Sequence, residues 1–273
     1  MEYEFPRNTP KFTKEALRET LSVIHSILKD NLIGIYLYGS LAMGGFHPQS
    51  SDIDIFLVIE KRLSKSDGRK TINYLKRACS NGKRIELSIM RADIIQNPRY
   101  PIPVDLHYEY WNNTFENETD KETLSNLYTT KERGFCVWGR PIKDVFSRIP
   151  AQYHLRSVIE DLEHTRRYLH EEPESIGYDV TVYWVLNSCR ILAFVREQKV
   201  LSKLEGGRWG QDNLPKEYHQ LVRQALSCHS GKEKVGRVWN HEELNEFADY
   251  MTEAILRESG LNQEKIAARP LGC

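Results

Sequence analysis

The sequence predicts an α+β (α/β) domain built on a small sheet, followed by an all-α helical bundle, with the change near residues 146–150. Three observations carry this. Two short apolar runs, residues 32–37 and 52–59, flank a Gly-Ser turn and a loop. A third run, residues 84–90, alternates apolar and polar side chains with the two-residue period of a strand. From Leu155 onward the apolar residues recur at helical spacing.

In chain order, an irregular arm with Pro6 and Pro10 precedes a helix that Thr13 is expected to cap. Ala16, Leu17, Leu21, Ile24 and Leu28 form its apolar stripe, up to Asp30. The two strands around Gly39-Ser40 follow. Ser64 is the expected cap of a helix to Ala78, with Ile72, Leu75 and Ala78 inward, and Asn81-Gly82 marks a turn. The strand Arg84–Met90 places Ile85, Leu87 and Ile89 on one face and Glu86 and Ser88 on the other. After Pro98, Pro101 and Pro103 comes the aromatic segment Leu106–Trp111, then a helical pattern around Leu124, Leu127 and Phe135. The turn Gly139-Arg140-Pro141 leads to the boundary, giving domains 1–148 and 149–273. The second half reads as helices ending near Glu171, starting near Asp179, and spanning Tyr218 to Ser227 and Glu242 to Glu258.

Composition removes several classes. Acidic and basic residues number 38 each, and a dedicated nucleic-acid binder usually carries a basic excess, so nucleic acid is not an expected partner. No apolar stretch approaches the length that spans a membrane, and the N-terminus has no apolar signal region. Five scattered cysteines without a Cys-X-X-Cys suggest neither a disulfide framework nor a zinc site; reduced thiols in the cytoplasm are the simple account.

The chemistry concentrates at Gly39-Ser40 and Asp52-Ile53-Asp54. On a strand Asp52 and Asp54 share a face, while Ile53, Ile55 and Leu57 take the other. Two carboxylates aimed at one point repel unless a cation sits between them. Magnesium is the natural guest, because it takes oxygen ligands and arrives with nucleotide phosphates. Gly39 lets backbone approach a phosphate, and Ser40 offers it a hydroxyl.

In this order and setting the motif resembles that of the polymerase-β-like nucleotidyltransferases, which place a third carboxylate on the next strand; Glu86 is the candidate. The segments Leu186–Leu192 and Ser202-Lys203-Leu204-Glu205-Gly206-Gly207-Arg208-Trp209 narrow the resemblance to the streptomycin/spectinomycin aminoglycoside adenylyltransferases, over nearly the whole chain. The resemblance implies a nucleotidyltransferase domain with a small mixed sheet and a helical C-terminal domain, with the site in the cleft between them. It implies transfer of AMP from ATP to an antibiotic hydroxyl, with Mg2+ as cofactor and ATP as co-substrate. Asp52 and Asp54 would hold the metal, Glu86 would be the base and touch the acceptor, and Gly39, Ser40, Ser51 and Lys203 would bind the nucleotide. Trp111 stands at the position of a streptomycin-contacting tryptophan, and Asp179 is the nearest match, one place off, to a substrate-binding acid. Tyr183 stands where some relatives have a polar or imidazole side chain. Asp105, Glu109, Glu172, Glu174 and Asp179 are available to attract a polycationic drug. A small-molecule antibiotic is the expected partner, with no nucleic acid and no membrane, and a monomer is the expected state. The alternative is transfer to a different small-molecule or protein acceptor.

Overall fold

The structure is a computed structural model, which describes residues 2–48, 51–110, 115–116, 119–120, 122–146, 149–171, 178–231 and 239–261. The chain divides into two compact units, Met1–His154 and Leu155–Cys273.

The N-terminal unit runs α1 (Lys11–Leu28), β1 (Leu32–Leu37), α2 (Gly39–Ala42), β2 (Ile53–Ile59), α3 (Lys65–Ser80), β3 (Ile85–Arg91) and α4 (Ala92–Gln96). It continues through β4 (Ile102–Pro103), β5 (Leu106–Glu109), β6 (Phe115–Glu116), β7 (Thr119–Asp120), α5 (Glu122–Arg133), β8 (Phe135–Gly139) and α6 (Ile142–Val145). The main sheet has the strand order β6-β5-β3-β2-β1-β8, and β4 pairs with β7 in a separate two-stranded ribbon. Only β2 and β3 run parallel among the main-sheet pairs, so the sheet is mixed. Their connection is α3, as a parallel pair requires a crossover.

The strand alternation explains the two faces. Ile35, Leu37, Ile55, Leu57, Ile85, Leu87 and Ile89 join Leu17, Leu21 and Ile24 of α1 and Ile72 and Leu75 of α3 in one apolar core. Burying each such aliphatic side chain contributes about 1.5–3 kcal/mol before conformational entropy is counted. The opposite face carries Tyr36, Tyr38 and Phe56 and then turns polar across β3 and β5. Tyr36 and Phe56 meet Phe146 edge-on, at centroid separations of 4.9 and 5.8 Å.

Two local readings are revised and one holds. α1 begins after Pro10 without a side-chain cap, and Thr13 is buried within its first turn. Ser64 does cap α3, its hydroxyl accepting from the Asp67 N–H at 3.0 Å. Phe135 does not extend a helix: α5 ends at Arg133, and residues 135–139 form the edge strand β8, antiparallel to β1.

The helical unit comprises most of α7 (Ala151–Glu171), then α8 (Tyr178–Glu197), α9 (Lys203–Asn213), α10 (His219–His229) and α11 (His241–Ser259). α8 packs against α9, α10 and α11, and its Trp184, Val185, Leu186, Cys189 and Leu192 stand at the centre of the unit's core. α9 is a helix despite Gly206, Gly207 and Gly210, because those glycines admit its neighbours. A Cβ on Gly206 would strike the Arg190 side chain, and one on Gly207 would meet Leu226 and Leu186. Among the described residues no helix is long and apolar enough to cross a membrane.

Candidate active site

The site is built where β1 and β2 end and begin. β1 leads through Tyr38 into Gly39, whose φ of +61° belongs to the left-handed region that favours glycine. The same glycine is needed for space, because a Cβ there would collide with the Asp54 carboxylate. The Gly-Ser turn and the Asp-X-Asp strand, separate in sequence, are thus one packed unit. The Tyr38 N–H donates to the Asp54 carbonyl at 3.2 Å and reinforces it. Ser40 lies on the single-turn α2. Ser51 closes the loop before β2: its N–H donates to the His47 carbonyl at 2.8 Å, and its hydroxyl accepts from the His47 N–H at 2.9 Å.

Register then sets the acids side by side. Asp54 is opposite Glu86 in the parallel β2/β3 ladder, and Glu86 is opposite Glu109 in the antiparallel β3/β5 ladder. Neighbouring strands lie about 4.8 Å apart, so these residues form one lateral row on the polar face. One row further on, Ser88 faces His107, with the hydroxyl 3.0 Å from Nδ1, and Nε2 lies 3.3 Å from a Glu109 carboxylate oxygen.

Glu86 is held firmly. Its Oε1 accepts from the Tyr38 hydroxyl at 2.6 Å and from the Asn126 amide on α5 at 3.1 Å. Its side chain is buried, and burial pushes its pKa above the ordinary glutamate range; Tyr38 and His107 oppose that shift while Glu109 and Asp52 add to it.

Asp52 immediately precedes β2 and has a different partner. Arg84 donates from Nε to Asp52 Oδ1 at 2.9 Å and lies at the same distance from the Tyr110 hydroxyl. Among the described residues no group of three or more acidic, histidine or cysteine side chains is gathered for a metal. What the chain offers is two carboxylates one residue apart in sequence, Asp52 and Asp54, with Glu86 hydrogen-bonded to Tyr38 and Asn126. That suits magnesium, which commonly takes one or two carboxylates and completes its shell with water and substrate phosphates.

Asp105 is not available to a ligand. Its buried carboxylate accepts from Arg91 Nε and from the Leu63 N–H, each at 3.1 Å, and fixes loops to the sheet. Glu109 is on the site's face. Trp111, Glu172 and Glu174 lie outside the described residues, and Asp179 falls on α8 with its side chain outside the description. In the helical unit Lys203 is the first residue of α9, after a capping box formed by Ser202 and Glu205. Its ammonium lies 4.9 Å from the centre of the Tyr183 ring, whose hydroxyl donates to Asp161 at 2.8 Å.

Sequence reasoning missed Tyr38, Arg84 and Asn126. Alternation could have found the first two, since Tyr38 abuts Gly39 and Arg84 stands two residues before Glu86. Asn126 arrives on a helix 40 residues further along, and no local pattern signals that.

Comparison with known proteins adds to this geometry. A nucleotidyltransferase domain family model matches residues 17–125, and a model of the aminoglycoside adenylyltransferase C-terminal domain matches residues 144–254. An aminoglycoside (3'') (9) adenylyltransferase of Escherichia coli is 27% identical over 257 residues, covering 89% of this chain and 95% of that protein. A spectinomycin 9-adenylyltransferase of Enterococcus faecalis is 22% identical over 254 residues, covering 88% and 94%. The crystal structure of an Enterococcus spectinomycin adenyltransferase with ATP and spectinomycin shares the fold, with a TM-score of 0.74 at 20% identity over 89% of this chain and 98% of that one.

Proposed function

We propose, from the premise that this chain belongs by its two domains to the aminoglycoside adenylyltransferases, that it transfers AMP from ATP to a hydroxyl of streptomycin, spectinomycin or both. The observation that carries the reading is the Gly39–Asp54–Glu86 arrangement: a carboxylate seated against a side-chain-free turn, beside a buried, hydrogen-bonded glutamate.

In the reaction the drug hydroxyl attacks the α-phosphorus of ATP, forming one P–O bond as the bond to pyrophosphate breaks. Glu86 takes the hydroxyl proton. Its raised pKa makes it a stronger base near neutral pH than an exposed glutamate, and Tyr38 and Asn126 fix the carboxylate's orientation. Asp52 and Asp54 would hold Mg2+, which when bound would neutralise charge on the phosphates. Gly39, Ser40 and Ser51 are assigned to the nucleotide. Lys203 is assigned to it as well, on the resemblance of its motif, and a cation there would stabilise the charge that develops on pyrophosphate. Trp111 and Asp179 are kept as substrate contacts on the same ground. We place the protein in the cytoplasm, on the scattered spacing of its five cysteines, and as a monomer.

Pyrophosphate release measured over a panel of antibiotics tests the reading. We expect release with ATP, Mg2+ and streptomycin or spectinomycin together, and none when either the drug or the metal is omitted. Release only with some other acceptor would move the assignment to a different nucleotidyltransferase activity.

A further inference from the structure

We propose that Arg84 is an internal counter-ion: it holds Asp52 in the nucleotide-free protein and must yield that carboxylate to a divalent cation, so cation binding is weak until nucleotide arrives. The inference rests on the reading of Asp52 and Asp54 as the cation-binding pair.

The geometry is a three-way knot. Arg84 Nε donates to Asp52 Oδ1 and to the Tyr110 hydroxyl, each at 2.9 Å, and the guanidinium carbon lies 5.2 Å from the centre of the Tyr110 ring. The Tyr110 hydroxyl is itself hydrogen-bonded to Asp52. Backbone register locks the partners, because Ile53 and Ile85 are paired and Asp52 and Arg84 precede them. The Ile53 N–H donating to the Arg84 carbonyl at 2.8 Å tightens that pairing.

An arginine is charged at any pH where the protein is folded, so this partner cannot leave by losing a proton. A carboxylate oxygen that accepts from a guanidinium is poorly placed to enter the shell of a divalent ion, and the two cations repel each other. The pair is nonetheless displaceable. The side chains of Arg84 and Asp52 keep 40% and 28% exposure, and ion pairs open to water in this way are individually weak. A nucleotide changes the balance twice: its phosphates supply further ligands to the cation, and they offer the guanidinium another anion. The Tyr110 ring gives the released arginine a surface to rest on.

The test uses Mn2+ as the probe, with free ion followed by electron paramagnetic resonance on the full chain without nucleotide. Arg84→Gln and Arg84→Met should bind Mn2+ roughly three- to tenfold more tightly than the wild type. Arg84→Lys should fall between, and Tyr110→Phe, which keeps the ring but removes one strand of the knot, should give a smaller gain of the same sign. Adding Asp54→Asn to Arg84→Gln should abolish the gain. Should an Arg84 variant fail to fold, the Tyr110→Phe result decides. Mn2+ binding that depends on Asp54 but is unchanged or weakened in the Arg84 and Tyr110 variants overturns this inference alone. Absence of any Asp54-dependent Mn2+ binding, even with a non-hydrolysable ATP analogue, overturns the cation reading together with it.

Discussion

As the proposed general base, Glu86 would answer two opposed demands, since a base must be ionised to work, yet burial resists its ionisation. Removing it as a base should cost on the order of 10²–10⁴ in turnover. Glu86→Gln should therefore retain ATP binding in calorimetry while losing transfer; a variant that loses ATP affinity instead would recast Glu86 as chiefly a metal ligand. The same residue makes a stability prediction with a definite sign. Its folded pKa is raised, chiefly by burial, so its favourable contribution is fully present below the unfolded glutamate pKa of about 4.3 and is lost as pH rises through the folded value. In chelator and without nucleotide, the wild type should thus lose stability relative to Glu86→Gln as pH is raised from 4 towards neutrality. A difference that runs the other way would show that Tyr38 and Asn126 more than offset the burial. Gly39 carries a second residue-scale prediction. Gly39→Ala places a Cβ against the Asp54 carboxylate at a positive φ, which costs about 1–2 kcal/mol in backbone strain alone. It should abolish transfer and lower the melting temperature, and an active, stable variant would contradict the packing of turn against acid.

At the level of elements, much was legible where one periodicity dominated. β1 falls on the residues expected, and β2 and β3 lie within a residue of expectation, because each is a short, largely apolar segment buried at nearly every position. β8 was not legible. Its five residues, Phe135–Gly139, follow directly on α5, and their strand character comes from pairing with β1 rather than from their own pattern. α9 was obscured for the opposite reason. Three glycines in eleven residues argue against a helix, each at about 1 kcal/mol relative to alanine. The capping box at Ser202 and the close approach of α8 and α10 offset that cost. Gly206→Ala should therefore destabilise the protein, whereas the same change in an exposed helix would stabilise it by about 1 kcal/mol. Chemical denaturation decides the sign, and a gain in stability would mean that Arg190 moves aside freely. Ser202→Ala should cost about 1 kcal/mol by loss of the cap.

For the molecule as a whole, the clustering of Gly39, Asp54 and Glu86 was readable because a strand–turn–strand concentrates them in two short segments and the next strand. What holds them in place was less readable. Tyr38, Asn126 and Arg84 act through contacts that only the sheet register and the packing of α5 create. Asp105 shows the converse: a carboxylate with apparent ligand potential is committed to Arg91 and the Leu63 backbone. The proposed streptomycin contact of Trp111 is tested by comparing the two drugs. If it supplies a cation–π surface to streptomycin, Trp111→Ala should impair streptomycin transfer by about 0.5–2 kcal/mol more than spectinomycin transfer; equal loss with both drugs, accompanied by a lower melting temperature, would make it a core residue. Adenylyl transfer to an aminoglycoside-type hydroxyl would show directly in the mass of the drug itself. Streptomycin and spectinomycin should each be incubated with ATP, Mg2+ and the purified protein, or with its Asp54→Asn variant, and then analysed by mass spectrometry. At least one drug should gain the mass of a single adenylyl group with the wild type, and neither should with the variant. Both drugs recovered unmodified from a folded, ATP-binding wild-type protein would contradict it.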